Sequence, residues 1–588
     1  MNGASRHQHD IVIVGGGHNG LIAAGLLAGE GLSVCVCEAR EIVGGASVSE
    51  HPFGPDYTVT SLSYVVSLLP PAIVDALELT RHGYHVYPQG PYFAPRRDGR
   101  YLALPEAPAA RRAQIAKFSA ADADAYERWD ADMARLGRLL GPLLGDIPPK
   151  LGSRRPADLA AQAMMLRRFK GVDQRAAVDL TRLFSASIAD LVEDRFESDA
   201  MRGVLSVSGA IGSWAGPRSA GTAYVTLHHH IGDLGDGRTG AWGFPRGGMG
   251  GVAEALASAA RARGVEIRTN APVARIDVTA GQVRGVTLVD GTELSAATVI
   301  TTAHPAVSFL RLVEPQHLPE DFLADIRSWK SRSGTVKVNV AVDRLPSFTS
   351  HPEFDPSVYG GTIVLAESLD DLEHAFQEAV AGRAATLPFA DIAIPSVFDP
   401  TLAPEGHHIV SMFTQWVPHT WNADPHRAEL EGYADRLFAR MEAIAPGFTA
   451  SVVGRQVIGP YDMEHTYHLP GGNIFHGELT LGQMFHARPA AGYADLRTPV
   501  RGLYQAGSGT HGGGGVTGIP GRNVVRQVLI DRRRQHRLAR LARRAPWPSR
   551  RTLFVHPISS RAGFRVNKPG GGQVRRWSSR RRSRGCGR

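Results

Sequence analysis

The chain has 588 residues, 43% of them apolar, so it can bury a large core, and its length suggests two to four domains. Three cysteines exclude a disulfide-built scaffold, and the lack of any run of eighteen apolar residues excludes a membrane-spanning helix. The net charge of +9 belongs to the C-terminal tail alone: residues 532–588 hold 19 Lys and Arg and no acid, while the preceding 531 residues carry a net charge of minus ten.

The chain opens on a strand, residues 11–14, followed by the glycines 15, 17 and 20 and a helix over residues 19–28. A second apolar run, residues 33–37, ends in Glu38, eighteen residues past the last of those glycines. This is the order of a dinucleotide-binding unit: the glycines turn the chain and admit a pyrophosphate, the helix start aims its free N–H groups at it, and the acid accepts from the ribose hydroxyls. An acid at Glu38 repels a 2'-phosphate, which leaves FAD or NAD and excludes NADP.

Residues 120–144 and 157–188 have helical spacing, and Tyr126, Trp129, Met133, Leu136 and Leu140 share a face that reads as core. Residues 243–250, Gly-Phe-Pro-Arg-Gly-Gly-Met-Gly, lead into a helix over 251–263 and a strand over 265–269. Strands over 273–278, 282–288 and 292–300, separated by Thr279-Ala280-Gly281 and Asp290-Gly291, make a three-stranded meander. Residues 334–342 and 408–416 alternate as strands do and are expected to build a second sheet. A short strand at 503–506 then breaks into glycines and a helix running to about Asp531. The formal glycine match at Gly513, Gly515 and Gly518 is not a second nucleotide fold, because no acid-ended strand follows it.

Cys35 and Cys37 lie on one face of a strand, too far apart for an easy bridge, and Cys586 is in the tail. Without a Cys-x-x-Cys pair a dithiol mechanism is not expected, and the few thiols suit a reducing compartment. No metal site is expected: His228-His229-His230 diverge on any regular backbone, and His465, His468, His476 and His486 lack ligand spacing. The polar arm of residues 1–9 has no secretory signal, so a soluble, cytoplasmic protein is expected. Residues 532–588 read as a disordered basic tail with no specific nucleic-acid fold. Residues 68–74, Leu-Leu-Pro-Pro-Ala-Ile-Val, read as a buried loop, with an entrance for a greasy substrate and a peripheral membrane contact as the alternative.

Several stretches arrive together in one order. They are residues 98–100 and 118–119, the Phe244 to Gly250 run, Gly472 to Leu479, Gln483-Met484-Phe485, Arg488-Pro489, Arg497-Thr498-Pro499 and Gly507 to Asn523. Over residues 10 to about 530 the chain closely resembles the phytoene-dehydrogenase-related branch of flavin oxidoreductases, the carotenoid and retinoid oxidoreductases. It departs from the family at Gly512, where relatives usually have proline.

The resemblance implies an α/β fold with a split Rossmann-type FAD-binding domain, residues 1–80, 236–305 and 495–531. A discontinuous α+β substrate domain then takes residues 81–235 and 306–494. It implies FAD as cofactor, held by Gly15, Gly17, Gly20 and Glu38, by Arg40, Gly44 and Gly45, by the backbone of Val273 at the adenine, and by Gly507. Val516, Thr517 and Gly518 would offer backbone N–H groups to the flavin's pyrimidine edge.

The chemistry implied is hydride removal from a C–H bond of a lipophilic substrate to flavin N5, then reoxidation by oxygen, a quinone or another acceptor. Such chemistry needs no triad, and none stands out; His511, Glu478 and Lys337 are the polar candidates. Lys337 resembles the lysine that holds a water near the flavin in amine oxidases, with solvation at a strand edge as its ordinary reading. An FAD-dependent amine oxidase and a non-catalytic flavoprotein regulator are the alternatives, although the intact glycines and Glu38 speak against the latter.

Overall fold

Two sheets stand where the hydrophobic patterns place them, as seen in the computed structural model, which describes residues 7–544 except 236, 238, 239 and 354. The first has seven strands in the order Val273–Thr279, Gln282–Leu288, Glu293–Thr301, His7–Val14, Val34–Cys37 and Glu266–Arg268, with Leu503–Gln505 added beside Glu293–Thr301. His7–Val14 is parallel to both neighbours, with Ile11 opposite Val34 and Val12 opposite Val299. Strand Glu293–Thr301 changes partner along its length. Its first residues pair antiparallel with Gln282–Leu288, and its last three, Val299 to Thr301, pair parallel with Leu503–Gln505.

Ile11 to Val14 and the strand Val34–Cys37 are apolar throughout because they are covered on both sides. Ile11 and Ile13 pack with Val34, Ala23 and Val524, while Val12 and Val14 pack with Cys35, Val299 and Leu503. Cys35 and Cys37 are free and buried. Helix His18–Gly29 and helix Gly248–Ala262 lie side by side against this sheet, as the glycine-rich approaches to both imply.

The second sheet runs in the order Val452–Ile458, Thr335–Val342, His408–Gln415, Phe389–Ala393, Ile363–Leu365, Tyr92–Pro95 and Tyr101–Leu104. The two expected strands are its centre, and the five others were not singled out in the sequence. Every residue of Thr335–Val342 is buried, so its alternation does not separate core from solvent. Val336, Val338, Val340 and Val342 join the largest core with Trp129, Leu437 and Met441, whereas Lys337, Asn339 and Ala341 face the other way.

Helix Ala120–Gly145 starts where Ser119 caps Asp122 N–H (3.0 Å) and buries Trp129, Met133, Leu136 and Leu140, with Tyr126 half-buried. The expected single helical stretch over 157–188 is broken. Helix Pro156–Arg168 ends before Phe169–Gly171, Asp173 caps a new helix, Gln174–Ser185, and a Ser187–Asp190 capping box starts Ile188–Glu193. Residues up to Arg532 form one compact unit and residues 533–544 belong to another. Helix Ile519–Arg544 runs thirteen residues past its expected end, so residues 532–544 are helical where disorder was expected; the rest of the tail, 545–588, lies outside the described residues. No helix among the described residues is long and apolar enough to cross a membrane.

Candidate active site

The nucleotide end is built by the first strand, turn and helix. Gly15, at φ 100°, donates its N–H to Cys37 O (2.8 Å) and closes the turn. A Cβ at Gly20 would lie 2.1 Å from Gly15 O, so only glycine lets the helix start this close to the strand end. Glu38, 7% exposed, accepts from Gly16 N–H at Oε2 (2.7 Å) and from Arg40 N–H at Oε1 (2.9 Å). Each oxygen keeps acceptor capacity, which is what two vicinal ribose hydroxyls need.

Gly44 donates to Gly16 O (2.9 Å) and stands at φ 121°, where a Cβ would meet Ser47 O at 2.3 Å. The Arg40 guanidinium pairs with Glu50 (2.6 Å) and lies over the Tyr467 ring (4.9 Å), yet its Nη1 is buried with no hydrogen-bond partner among the described residues. An unspent buried guanidinium N–H beside a glycine turn and a helix N-terminus suits a pyrophosphate. The residues present therefore fit FAD.

These groups open into one cavity of about 430 Å³, lined by Gly15, Gly17, Glu38, Arg40, Gly44, Gly45 and Val273 at the nucleotide side, and by Ser508, Gly515 and Val516. The remaining expected cofactor residues stand behind the wall. Gly20 supports the turn, Gly507 packs on Thr302 O, Thr517 spends its hydroxyl on Gly512 O (2.8 Å), and Gly518 packs against Ile22. Of the three expected donors at the pyrimidine edge only Val516 lines the cavity. Leu68 lines it too, while Leu69 and Ile73 are core.

The second sheet supplies the opposite wall. Lys337, Phe413 and Asp391 occupy one row across three neighbouring strands, Phe413 pairing with Lys337 on one side and Asp391 on the other. Directly paired residues share a face, so this row points into the cavity. Tyr64 caps it: its hydroxyl donates to Asp391 Oδ1 (3.0 Å), its ring stacks on Phe413, and the Lys337 ammonium lies 5.1 Å from the ring centre. Lys337 also donates to Asn339 Oδ1 (2.8 Å) and Ser411 Oγ. Burial pushes Asp391 up to about 6 and Lys337 down to about 7, because the loss of water outweighs their mutual attraction. Both groups therefore change charge close to neutrality.

Three expected catalytic candidates meet different fates. Lys337 is 1% exposed on a central strand, which overturns solvation at a strand edge. His511 is buried with Nε2 2.9 Å from Leu143 O, and it does not line the cavity. Glu478 is bound by Arg332 through both oxygens (2.7 and 3.0 Å) and is likewise outside the wall. Asp391 and Tyr64 were not singled out in the sequence, and neither were the cavity histidines His18 and His304. Burial holds His18 and His476 down to about 4, and His304 well below its usual value, so these imidazoles stay neutral. No spacing marks them, since each reaches the cavity from a different segment.

His228, His229 and His230 end helix Thr222–His230 and are spent on carbonyls, Gly514 O (2.7 Å), Val225 O and Thr226 O (both 2.8 Å). Arg488, 2% exposed, donates to the carbonyls of Phe475, Gln483, Ser508 and Thr510, and so ties the late glycine loop to the segment before it.

Comparison with known proteins agrees with this geometry. Residues 20–521 match the family model described as flavin containing amine oxidoreductase. The chain is 38% identical over 556 residues to pyridine nucleotide-disulfide oxidoreductase domain-containing protein 2 of Mus musculus, covering 90% of this chain and 95% of that one. It is 26% identical to a lycopene-forming phytoene desaturase of a Paracoccus species, over 90% of this chain and 99% of the relative. Among solved structures, cyclohexylamine oxidase from Brevibacterium oxydans shares the fold with a TM-score of 0.54 at 18% identity, over 89% of this chain and 99% of that one. The chain belongs to the flavin-containing amine oxidoreductase family and is an FAD-dependent oxidoreductase.

Proposed function

We propose that this oxidoreductase dehydrogenates a lipophilic substrate, forming a carbon–carbon double bond. The chemistry FAD supplies when bound is acceptance of hydride from a substrate C–H bond at N5. The proton from the neighbouring carbon passes to the Asp391 carboxylate, and the electrons of that C–H bond become the new double bond. The Lys337 cation favours the ionised carboxylate, and Tyr64 orients it through its hydrogen bond. Dioxygen or a quinone would serve as the final two-electron acceptor.

The observation that carries this reading is the row Lys337, Phe413, Asp391, set in a cavity that Leu62, Val65, Ile211, Trp242, Ile474 and Phe475 also line. Such a wall orients an apolar chain by excluding water, and a base titrating near 6 is ionised and ready at neutral pH. The 26% identity to a phytoene desaturase over nearly the whole chain supports the same substrate class.

Anaerobic mixing of the yellow protein with detergent-solubilised isoprenoid polyenes, and separately with primary and secondary amines, tests the proposal. Loss of flavin absorbance with a polyene, together with a product carrying one more double bond, is expected. Reduction by amines alone assigns amine oxidation instead, and a flavin reduced by neither class assigns a non-catalytic role.

A further inference from the structure

Helix Pro156–Arg168 is amphipathic the wrong way round. Its protein-facing side, Asp158, Ala161, Gln162 and Met165, is half-buried: Asp158 accepts from Ser153 Oγ and Gln162 donates to Lys150 O (both 2.5 Å). At 100° per residue the opposite arc carries Leu159, Ala160, Ala163, Met164, Leu166 and Arg167, and every one of them is exposed. Leu166 is 72%, Met164 60% and Leu159 48% exposed, and Leu151 and Phe169 beside the helix are 68% and 38% exposed. None of the helix's described side chains is buried. A helix of thirteen residues draws its stability from packing an apolar face, and this one turns that face to water.

Charge says what covers it. Residues 150–175 hold seven Lys and Arg against two Asp, and exposed cations stand at both ends of the helix, Arg154 and Arg155 before it and Arg167, Arg168 and Lys170 at its close, Arg168 pairing with Asp146 (2.5 Å). A second copy of the chain would bring the same positive charge to the interface, and so would the chain's own residues 532–588. A surface that is apolar within and anionic at its boundary complements both features.

We propose that helix Pro156–Arg168, with Leu151 and Phe169, docks on an anionic lipid bilayer, the apolar side chains of its outward arc among the acyl chains and the cations at its ends, Arg167 included, at the phosphates. The docked segment leads inward. Helix Ala120–Gly145, which precedes it, ends at Leu144 and Gly145, and these line a second cavity of about 260 Å³ that shares Ser67 and Leu68 with the main one. A role for that cavity in delivering substrate from the bilayer rests on the function proposed above, whereas docking itself does not.

Hydrogen–deuterium exchange of the full-length, FAD-loaded protein tests the docking. With vesicles of phosphatidylcholine containing phosphatidylglycerol, amides of residues 156–171 are expected to be protected, and vesicles of phosphatidylcholine alone are expected to leave them unchanged. The variant L159S/M164S/L166S/F169S is expected to keep its flavin and lose that protection. Protection confined to residues 532–588, unchanged exchange, or protection that grows with protein concentration in the absence of vesicles would overturn the proposal, the last by assigning the face to a second copy.

Discussion

Lys337 and Asp391 stand on the same row of one sheet, each directly opposite Phe413, which places their backbones two strand spacings apart, roughly 10 Å. Phe413 keeps the cation and the anion from collapsing into a contact pair, and Tyr64 lies over all three. The result is two ionisable groups that burial has moved toward each other in pKa, on the wall of the cavity that Gly15, Glu38 and Arg40 also line.

If Asp391 takes the proton, Asp391→Asn is expected to lower the rate of anaerobic flavin reduction by roughly 10²- to 10⁴-fold while flavin content is unchanged. In the parent protein that rate rises with pH through about 6, as Asp391 ionises, and the variant lacks this limb. Because the Lys337 charge lowers the Asp391 pKa, Lys337→Met is expected to move the limb to higher pH. Stopped-flow reduction across pH reads both effects.

Glu38 holds the first turn to the second through the Gly16 and Arg40 amides and lines the cavity. If the Glu38 carboxylate accepts from both ribose hydroxyls, Glu38→Ala removes two charge-assisted bonds to the cofactor, costing about 3 kcal/mol, roughly a hundredfold in FAD affinity. The ratio of flavin to protein absorbance after purification should fall accordingly, and added FAD should restore it only at high concentration.

His511 is held on Leu143 O and stays neutral, burial having pushed it down to about 4. His511→Ala is expected to leave the rate and its pH profile within about twofold and to cost about 1 kcal/mol of stability for the lost hydrogen bond. Thermal melts and flavin reduction on the same sample separate the two outcomes.

Burial holds His228, His476 and His511 down to about 4 and His229 down to about 3. Unfolding returns each to its ordinary value of 6.5, so between pH 6.5 and 4 the unfolded chain binds more protons than the folded one. Stability is therefore present above pH 6.5 and falls as pH drops, by up to about 1.4 kcal/mol per pH unit for each histidine. Melting temperature measured from pH 7.5 to 4.5 should decline through this window, and Gln at position 229 should make the decline shallower.

The late glycine region shows how far sequence reading reaches. Gly507 to Asn523 announces a tight loop before a helix, and the loop is there, but which of its amides meet the cavity depends on how Arg488 pulls in the carbonyls of Ser508 and Thr510. Val516 ends in the wall and Thr517 behind it, a difference no pattern of residue types carries. His511 attracted a catalytic reading because histidine titrates near neutrality; Leu143, far away in the chain, decides otherwise.

The nucleotide unit, the meander and the two central strands of the second sheet are legible in residue order alone, because glycine sterics, turn chemistry and hydrophobic runs act between neighbours in the chain. Folding in three dimensions is what sets Lys337, Phe413 and Asp391 in one row beneath Tyr64 and commits Glu478 to Arg332. Strand register and burial set a side chain's neighbours and its charge, and both arise from contacts between segments that the order of residues leaves open.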